Sequence, residues 1–271
     1  MKKILTSTDF SDNARAAVLY AARLSLLLEA RLDLVHTYSV PIATGLYGEA
    51  NDFLQRRIRS DVADLSRWLD QQTGVDLKIH PRILTGNPTQ AIVEMADEYD
   101  LVVMGTKGES GLERWLMGST TTGVIERTAT PVLAIPPGQS FAAIRGIVLA
   151  LDDEGIDQEG MVHPLLSLAR AFEAHIYVFH HDEGEWDEGL EVDLSIYLEG
   201  LEYSLHYDLG DSTTWESIQS FAQDEGAQLI TMIRRERTGL DRWLGLQSAT
   251  SQSVHKTNLP LLILQEQSAQ D

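Results

Sequence analysis

Cysteine is absent from the 271 residues of this chain. That excludes disulfides, thiolate metal sites and thiol catalysis, and it suits a cytoplasmic protein. No apolar run approaches the roughly 20 residues that a bilayer span requires, so membrane insertion is not expected. The start "MKKILTSTDF" is basic, but polar residues interrupt its apolar stretch within a few positions. It reads as a first strand rather than a signal peptide. Basic residues are scarce: 21 Lys and Arg stand against 41 Asp and Glu, for a net charge of −20. The imbalance is concentrated, with 14 against 17 in residues 1–140 and 7 against 24 in residues 141–271. An acidic second half repels nucleic acid and anionic membrane. It reads either as a solvated face or as a surface for a basic partner. Two common phosphate-binding patterns are missing as well, Gly-x-x-x-x-Gly-Lys-Ser/Thr and Gly-x-Gly-x-x-Gly.

What the chain does contain is an internal repeat. "ILTSTDF" (Ile4–Phe10) matches "IVLALDD" (Ile147–Asp153), and "LDLVHTY" (Leu32–Tyr38) matches "HIYVFHH" (His175–His181). "LTGNPT" (Leu84–Thr89) parallels "LGDSTT" (Leu209–Thr214). "GLERWL" (Gly111–Leu116) matches "GLDRWL" (Gly239–Leu244), and "TPVLAI" (Thr130–Ile135) matches "LPLLIL" (Leu259–Leu264). The order is conserved between copies, which points to duplication. The offset is 143 at Asp9/Asp152 and 128 at Trp115/Trp243, so the second copy is shorter by about fifteen residues. The acidic "DEGEWDEGLEVD" (Asp182–Asp193) stands there in place of a longer helix. A short Pro/Gly/Ser linker, "PPGQSFAAIRG" (Pro136–Gly146), joins the copies. The expected domains are residues 1–138 and 143–266.

Each copy alternates strand and helix. In the first, "KKILTST" is an apolar run and "SDNARAAVLYAARLSLLLEA" (Ser11–Ala30) an Ala/Leu-rich helix with a Ser or Asp cap. "RLDLVHTY" is a strand, and Asn51–Gly74 an amphipathic helix ending at glycine. "VDLKIHPRIL" alternates as a more exposed strand does, and Pro88–Tyr99 is a helix with Pro in its first turn. "DLVVMG", the short helix Ser119–Thr128 and "PVLAI" complete the copy. Repeated βαβ units imply right-handed crossovers and a parallel sheet with helices on both faces. Such sheets bind ligands at the carboxyl ends of the strands, where strand order reverses.

The segment "VVMGTKGESGLERWLMGSTTTG" (Val102–Gly123) falls at that edge. Gly105 and Gly108, without Cβ, admit close backbone approach or a positive φ. Gly118 precedes a hydroxyl cluster at the start of a helix, whose N-terminus carries partial positive charge. Together they form a phosphate cradle or, more plainly, three turn glycines and an ordinary cap. Lys107 and Arg114 read either as added positive charge or, more plainly, as solvent-facing residues. Asp9 ends the first strand beside the switch point, placed either to accept from a base amine or ribose hydroxyl or to cap the next helix.

These residues resemble the universal stress protein family in its nucleotide-binding branch. Gly105, Gly108, Gly118 and Ser119 match that branch's Gly-x2-Gly-x9-Gly-Ser/Thr, with Met104 before the first glycine and Thr106 between the first two. Asp9 sits in the family-like phrase "TDFS", which begins at Thr8. Ser7 and Thr37 depart from the Pro and Val often found in the family, which changes the polarity of the pocket. The resemblance spans both copies. It implies two tandem doubly wound α/β domains, each an open five-stranded parallel sheet of order 3-2-1-4-5. It also implies ATP in the first copy, often with Mg²⁺ or Mn²⁺. The glycine loop and Ser119, Thr120 and Thr121 would hold the phosphates, and Asp9 with Thr37 the ribose and base. The copies would pair through "PVLAI" and "PLLIL" as a pseudo-dimer, and two chains would associate as a homodimer.

In the second copy Ile233 and Glu236 replace the first two glycines, and Gln247 replaces the third before Ser248. Asp152 persists, but Asp153 and Glu154 add repulsion, so no triphosphate is expected there. Arg234, Arg235, Arg237 and Arg242 cluster on its loop. They either neutralise nearby acids or meet an anion, including the first copy's nucleotide. His180, His181 and Asp182 read as a metal cluster or as ordinary strand-end residues. Trp115 and Trp243 hold equivalent loop positions and read as packing or interface residues rather than as base-stacking ones. No water-activating base stands out near the glycine loop, where Glu109 and Glu113 are the carboxylates. The expected function is an ATP-binding stress or signalling module without an assigned catalytic residue. The alternatives are a slow ATPase and a scaffold whose second copy docks a partner.

Overall fold

The structure is a computed structural model that describes residues 1–40, 47–106, 118–152, 155–156, 158–181, 194–208, 214–235 and 259–266. Two compact units divide the chain: Met1–Thr128 with Ile135–Phe141, and Ala129–Ala134 with Ala142–Asp271.

In the first unit, β1 (Lys3–Ser7), α1 (Asp12–Leu27), β2 (Arg31–Tyr38), α2 (Tyr47–Thr73), β3 (Ile79–Thr85), α3 (Pro88–Ala96), β4 (Leu101–Gly105) and α4 (Ser119–Ile125) follow in order. The strands pair in parallel as β3-β2-β1-β4. β1 and β4 are buried through their middles, as expected of parallel strands covered on both faces, and the one polar side chain there, Thr6, donates its hydroxyl to the Val103 carbonyl. β3 is half-exposed and carries Pro81, which suits an edge strand. Ser11 caps α1 by accepting from the Ala14 amide, and Asn87 caps α3 ahead of Pro88. α2 ends before Gly74, whose φ of +74° suits a residue without Cβ. α1, α3 and α4 each stop about a turn before the sequence reading. At α1 the left-handed residue after the helix is Glu29, which gives no glycine signal.

The second unit contains β5 (Val132–Ile135), β6 (Gly146–Leu151), α5 (Glu159–Phe172), β7 (His175–His181), β8 (Tyr203–Asp208), α6 (Thr214–Asp224), β9 (Leu229–Arg234) and β10 (Leu261–Gln265); Ile135 alone falls in the first unit. A parallel sheet runs β8-β7-β6-β9-β10, the order 3-2-1-4-5 when strands are counted from β6. β5 lies antiparallel to β10, so "PVLAI" and "PLLIL" do pair.

Strand register corrects one detail of the repeat. Ile4 pairs with Leu32 and Ile147 with Ile176, so Leu32 corresponds to Ile176 rather than to His175. On that register His36 corresponds to His180.

Candidate functional site

Strand order in the first unit reverses between β1 and β4, and their carboxyl ends open into a cleft of about 320 Å³. Ser7, Thr8 and Asp9 line it from the end of β1, and Thr37 from β2. Met104 and Gly105 line it from β4, and Gly118, Ser119, Thr120 and Thr121 from the start of α4. Residues separated by more than a hundred positions are thus brought to one site.

The loop after β1 is held by hydrogen bonds at several points. The Thr8 amide donates to the Val35 carbonyl at 3.0 Å, and the Phe10 amide to Thr8 Oγ1 at 2.9 Å. His36 Nδ1 lies 2.8 Å from the Thr8 carbonyl, which only accepts, so that ring nitrogen carries the proton. Phe10 adopts φ +64° and lays its ring 4.6 Å from that of His36. A left-handed aromatic residue is uncommon and persists where its surroundings over-determine it. Asp9 does not cap α1, because Ser11 does. Instead Asp9 Oδ1 accepts from both the amide and the hydroxyl of Ser11, at 3.0 and 2.6 Å.

The glycine side is arranged differently from a left-handed turn. Neither Gly105 nor Gly118 has positive φ; Gly118 lies at φ −54°, ψ 146°. A Cβ on Gly105 would sit 3.4 Å from the Asn13 carbonyl and 3.5 Å from Ala17 Cβ, so its bare Cα faces α1 rather than the cleft. The Gly105 carbonyl accepts from Thr121 Oγ1 at 2.8 Å, which commits that hydroxyl proton to the protein. Thr106 lies behind the cleft rather than in its lining. It is buried, its amide donates to Ile135, and its carbonyl accepts from the Gly118 amide at 2.6 Å. Gly108, with Lys107, Glu109, Glu113, Arg114 and Trp115, lies outside the described residues. Ser119 and Thr120 remain exposed or half-exposed at the start of α4. The amides of the first helical residues have no partner within the helix.

Sequence reasoning passed over part of the lining. Val35, Tyr38 and Ser39 come from β2 and its end, and Gly86, Pro88 and Ile92 from the β3–α3 turn and α3. The signal was "LTGNP", a strand-to-helix turn at the same edge. Gly86 has φ +123° and its amide donates to the Tyr38 carbonyl. The Tyr38 hydroxyl donates to Asn51 and accepts from Gln55, which ties the cleft to α2.

The second unit has the equivalent acid, Asp152, after β6. Its carboxylate is taken by Arg235, which follows β9 and is 1% exposed. Nε and Nη2 of Arg235 donate to the two Asp152 oxygens, both at 2.8 Å. Of the two readings of the arginine cluster, Arg235 follows the neutralising one. Arg234 Nη1 donates to Gln265 at 3.3 Å. Ile233, in place of Gly105, is buried. His180 is buried and its Nδ1 donates to the Leu151 carbonyl, the counterpart of His36 on Thr8. It anchors a strand end. The side chain of His181, and Asp153, Glu154, Asp182, Glu236, Arg237, Arg242, Trp243, Gln247 and Ser248, lie outside the described residues. Among the described residues no helix is long and apolar enough to cross a membrane.

Comparison with known proteins bears on both units. The family model described as the universal stress protein family matches residues 1–136. A universal stress protein of Methanocaldococcus jannaschii is 32% identical over 140 residues, covering 49% of this chain and 81% of the relative. A second from the same organism is 26% identical over 155 residues, covering 49% and 94%. A crystal structure of a universal stress protein from Archaeoglobus fulgidus superimposes with a TM-score of 0.72 over 97% of this chain and 96% of that one. At 17% identity that likeness speaks for the fold alone. With a doubly wound sheet, a switch-point cleft and a family match over the first half, the chain belongs to the universal stress protein family.

Proposed function

We propose that the first unit binds ATP, with Mg²⁺ or Mn²⁺ on its phosphates, and that the chain acts as a cytoplasmic stress-response and signalling module. The observation that carries this reading is the cleft at the β1/β4 switch point. Its volume of about 320 Å³ lies at the lower end of the range typical of small-molecule pockets. Its lining divides by chemistry. Val35, Ile92, Met104 and Pro88 offer apolar surface for a flat base, and Ser7, Asp9, Thr37 and Ser39 offer hydrogen-bonding groups beside it. Ser119 and Thr120 offer hydroxyls at the far end. These groups suit a base, a sugar and a phosphate tail in turn.

The described lining holds no Lys or Arg, and Asp9 is its one carboxylate. A triphosphate therefore needs its charge offset by main-chain amides and by a divalent cation. The same composition favours a binding module over an efficient ATPase. A general base must reach the attacking water, and one oxygen of Asp9 is already held by Ser11.

The test is the content of the purified protein. Denaturation should release one adenine nucleotide per chain, identified by mass. Calorimetry with ATP, ADP and cyclic AMP, each with and without Mg²⁺, should rank ATP first. Asp9→Ala should weaken ATP about tenfold or more, the usual worth of a hydrogen bond to a charged group. No released nucleotide together with no binding of added ATP at millimolar concentration would end the proposal.

A further inference from the structure

Arg235 is among the largest fully buried side chains of the protein. A guanidinium stays charged in a protein, so its burial requires anionic partners. The second unit provides them as a built set. Asp152 meets Nε and Nη2 with both oxygens at 2.8 Å, the bidentate fork that carboxylates form with arginine. The Gly155 carbonyl accepts a further Nη2 bond at 2.6 Å. Glu266 Oε1 stands 3.9 Å from Nη1. The Gly155 amide in turn donates to the Asp152 carbonyl, and Gly155 has φ +64°. Glycine takes that left-handed backbone without strain.

The position matters as much as the contacts. Asp152 follows β6 as Asp9 follows β1, and Arg235 follows β9 as the glycine loop follows β4. In the first unit these strand ends frame an open cleft. In the second they frame a guanidinium supplied by the chain itself, held by two carboxylates and a carbonyl.

We infer that the β6/β9 switch point of the second unit is a guanidinium-binding site occupied in cis by Arg235. Its ligand class is a planar cation with a donor fork, opposite in charge to a phosphate. This holds whether or not the first cleft takes a nucleotide. It accounts for the retention of an acid at Asp152 in a half that has replaced the glycines at Gly105 and Gly118. In this half the acid receives an internal cation.

Chemical rescue in the full chain tests the assignment. Arg235→Ala should melt at least several degrees below the native chain. Millimolar methylguanidinium should raise its melting temperature saturably by about 2–4 °C, as expected when a ligand binds only the folded state. Methylammonium at equal ionic strength should do markedly less, and the ATP-induced shift should equal that of the native chain. The native chain, and Arg235→Ala combined with Asp152→Asn, should not respond to methylguanidinium. No rescue, equal rescue by methylammonium, rescue that survives loss of Asp152, or a larger ATP shift in Arg235→Ala would each overturn it. Should Arg235→Ala not fold, arginine Nε–H exchange in the native chain decides. One slowly exchanging signal, lost in Asp152→Asn, supports the assignment. Exchange at the rate of surface arginines for every signal overturns it.

Discussion

Replacing Gly123 with alanine should destabilise the first unit, although the same change in most helices is favourable. Gly123 lies inside α4, where alanine would gain about 1 kcal/mol in helix propensity. An added Cβ would, however, stand 2.9 Å from Thr89 Cγ2 and 3.4 Å from Thr89 Oγ1. Carbon atoms prefer about 3.5–4.0 Å, so the overlap is well over half an ångström. Thr89 is itself buried on α3, and its branched side chain has few rotamers to escape into. Overpacking of this kind costs about 1–3 kcal/mol. The net expectation is a loss of about 1 kcal/mol, which lowers the melting temperature by about 2–4 °C. The contact also sets the cleft, since α3 supplies Pro88 and Ile92 and α4 supplies Ser119 and Thr120. Ligand affinity should therefore fall with stability. The assay is a double-mutant cycle in thermal or urea unfolding, with Thr89→Ser removing the clashing methyl. In that background Gly123→Ala should become neutral or stabilising. If Gly123→Ala stabilises on its own, or if Thr89→Ser brings no relief, the close approach of α3 to α4 is not what demands glycine.

Other expectations are shorter. Burial alone would raise the carboxyl of Asp33, but hydrogen bonds from Arg31 and Tyr99 outweigh it and hold that group below the usual carboxylate range. Its stabilising contribution is therefore complete above the unfolded value of about 3.9 and disappears as pH falls through the lower folded value. Asp33→Asn should be less stable than the native chain at pH 7, with the gap in urea midpoint closing below about pH 4. Thr121→Val removes the bond to the Gly105 carbonyl at constant shape. It should cost about 1 kcal/mol in unfolding free energy. Gly146→Ala, at the start of β6, would place its Cβ 2.9 Å from Tyr177 Cε2 and 3.4 Å from the Ala227 backbone. It should lower the stability of the second unit by about 1–3 kcal/mol, read by urea unfolding.

Local pattern carried much of this protein. The run "ILTS", the Ala/Leu helix after Ser11 and the Asn-Pro start of α3 each obey rules that act within a few residues. The elements they encode were therefore legible without coordinates, and so was the tandem repeat. Asp9, Gly105, Gly118 and Ser119 were legible as a group because strand ends at a switch point must converge, whichever side chains they bear. Less accessible were the facts that depend on what packs against what. The left-handed Phe10 is stabilised by His36, twenty-six positions away in the chain. Gly105 spares space for α1 rather than for a ligand, a distinction no motif contains. The shift of β7 by one residue appears only when hydrogen bonds pair it with β6. Composition also marks the second half as acidic and its loop as rich in arginine. Only the fold brings Arg235 onto Asp152, because the two meet across β6 and β9, where a buried charge must find its counter-charge within hydrogen-bond reach.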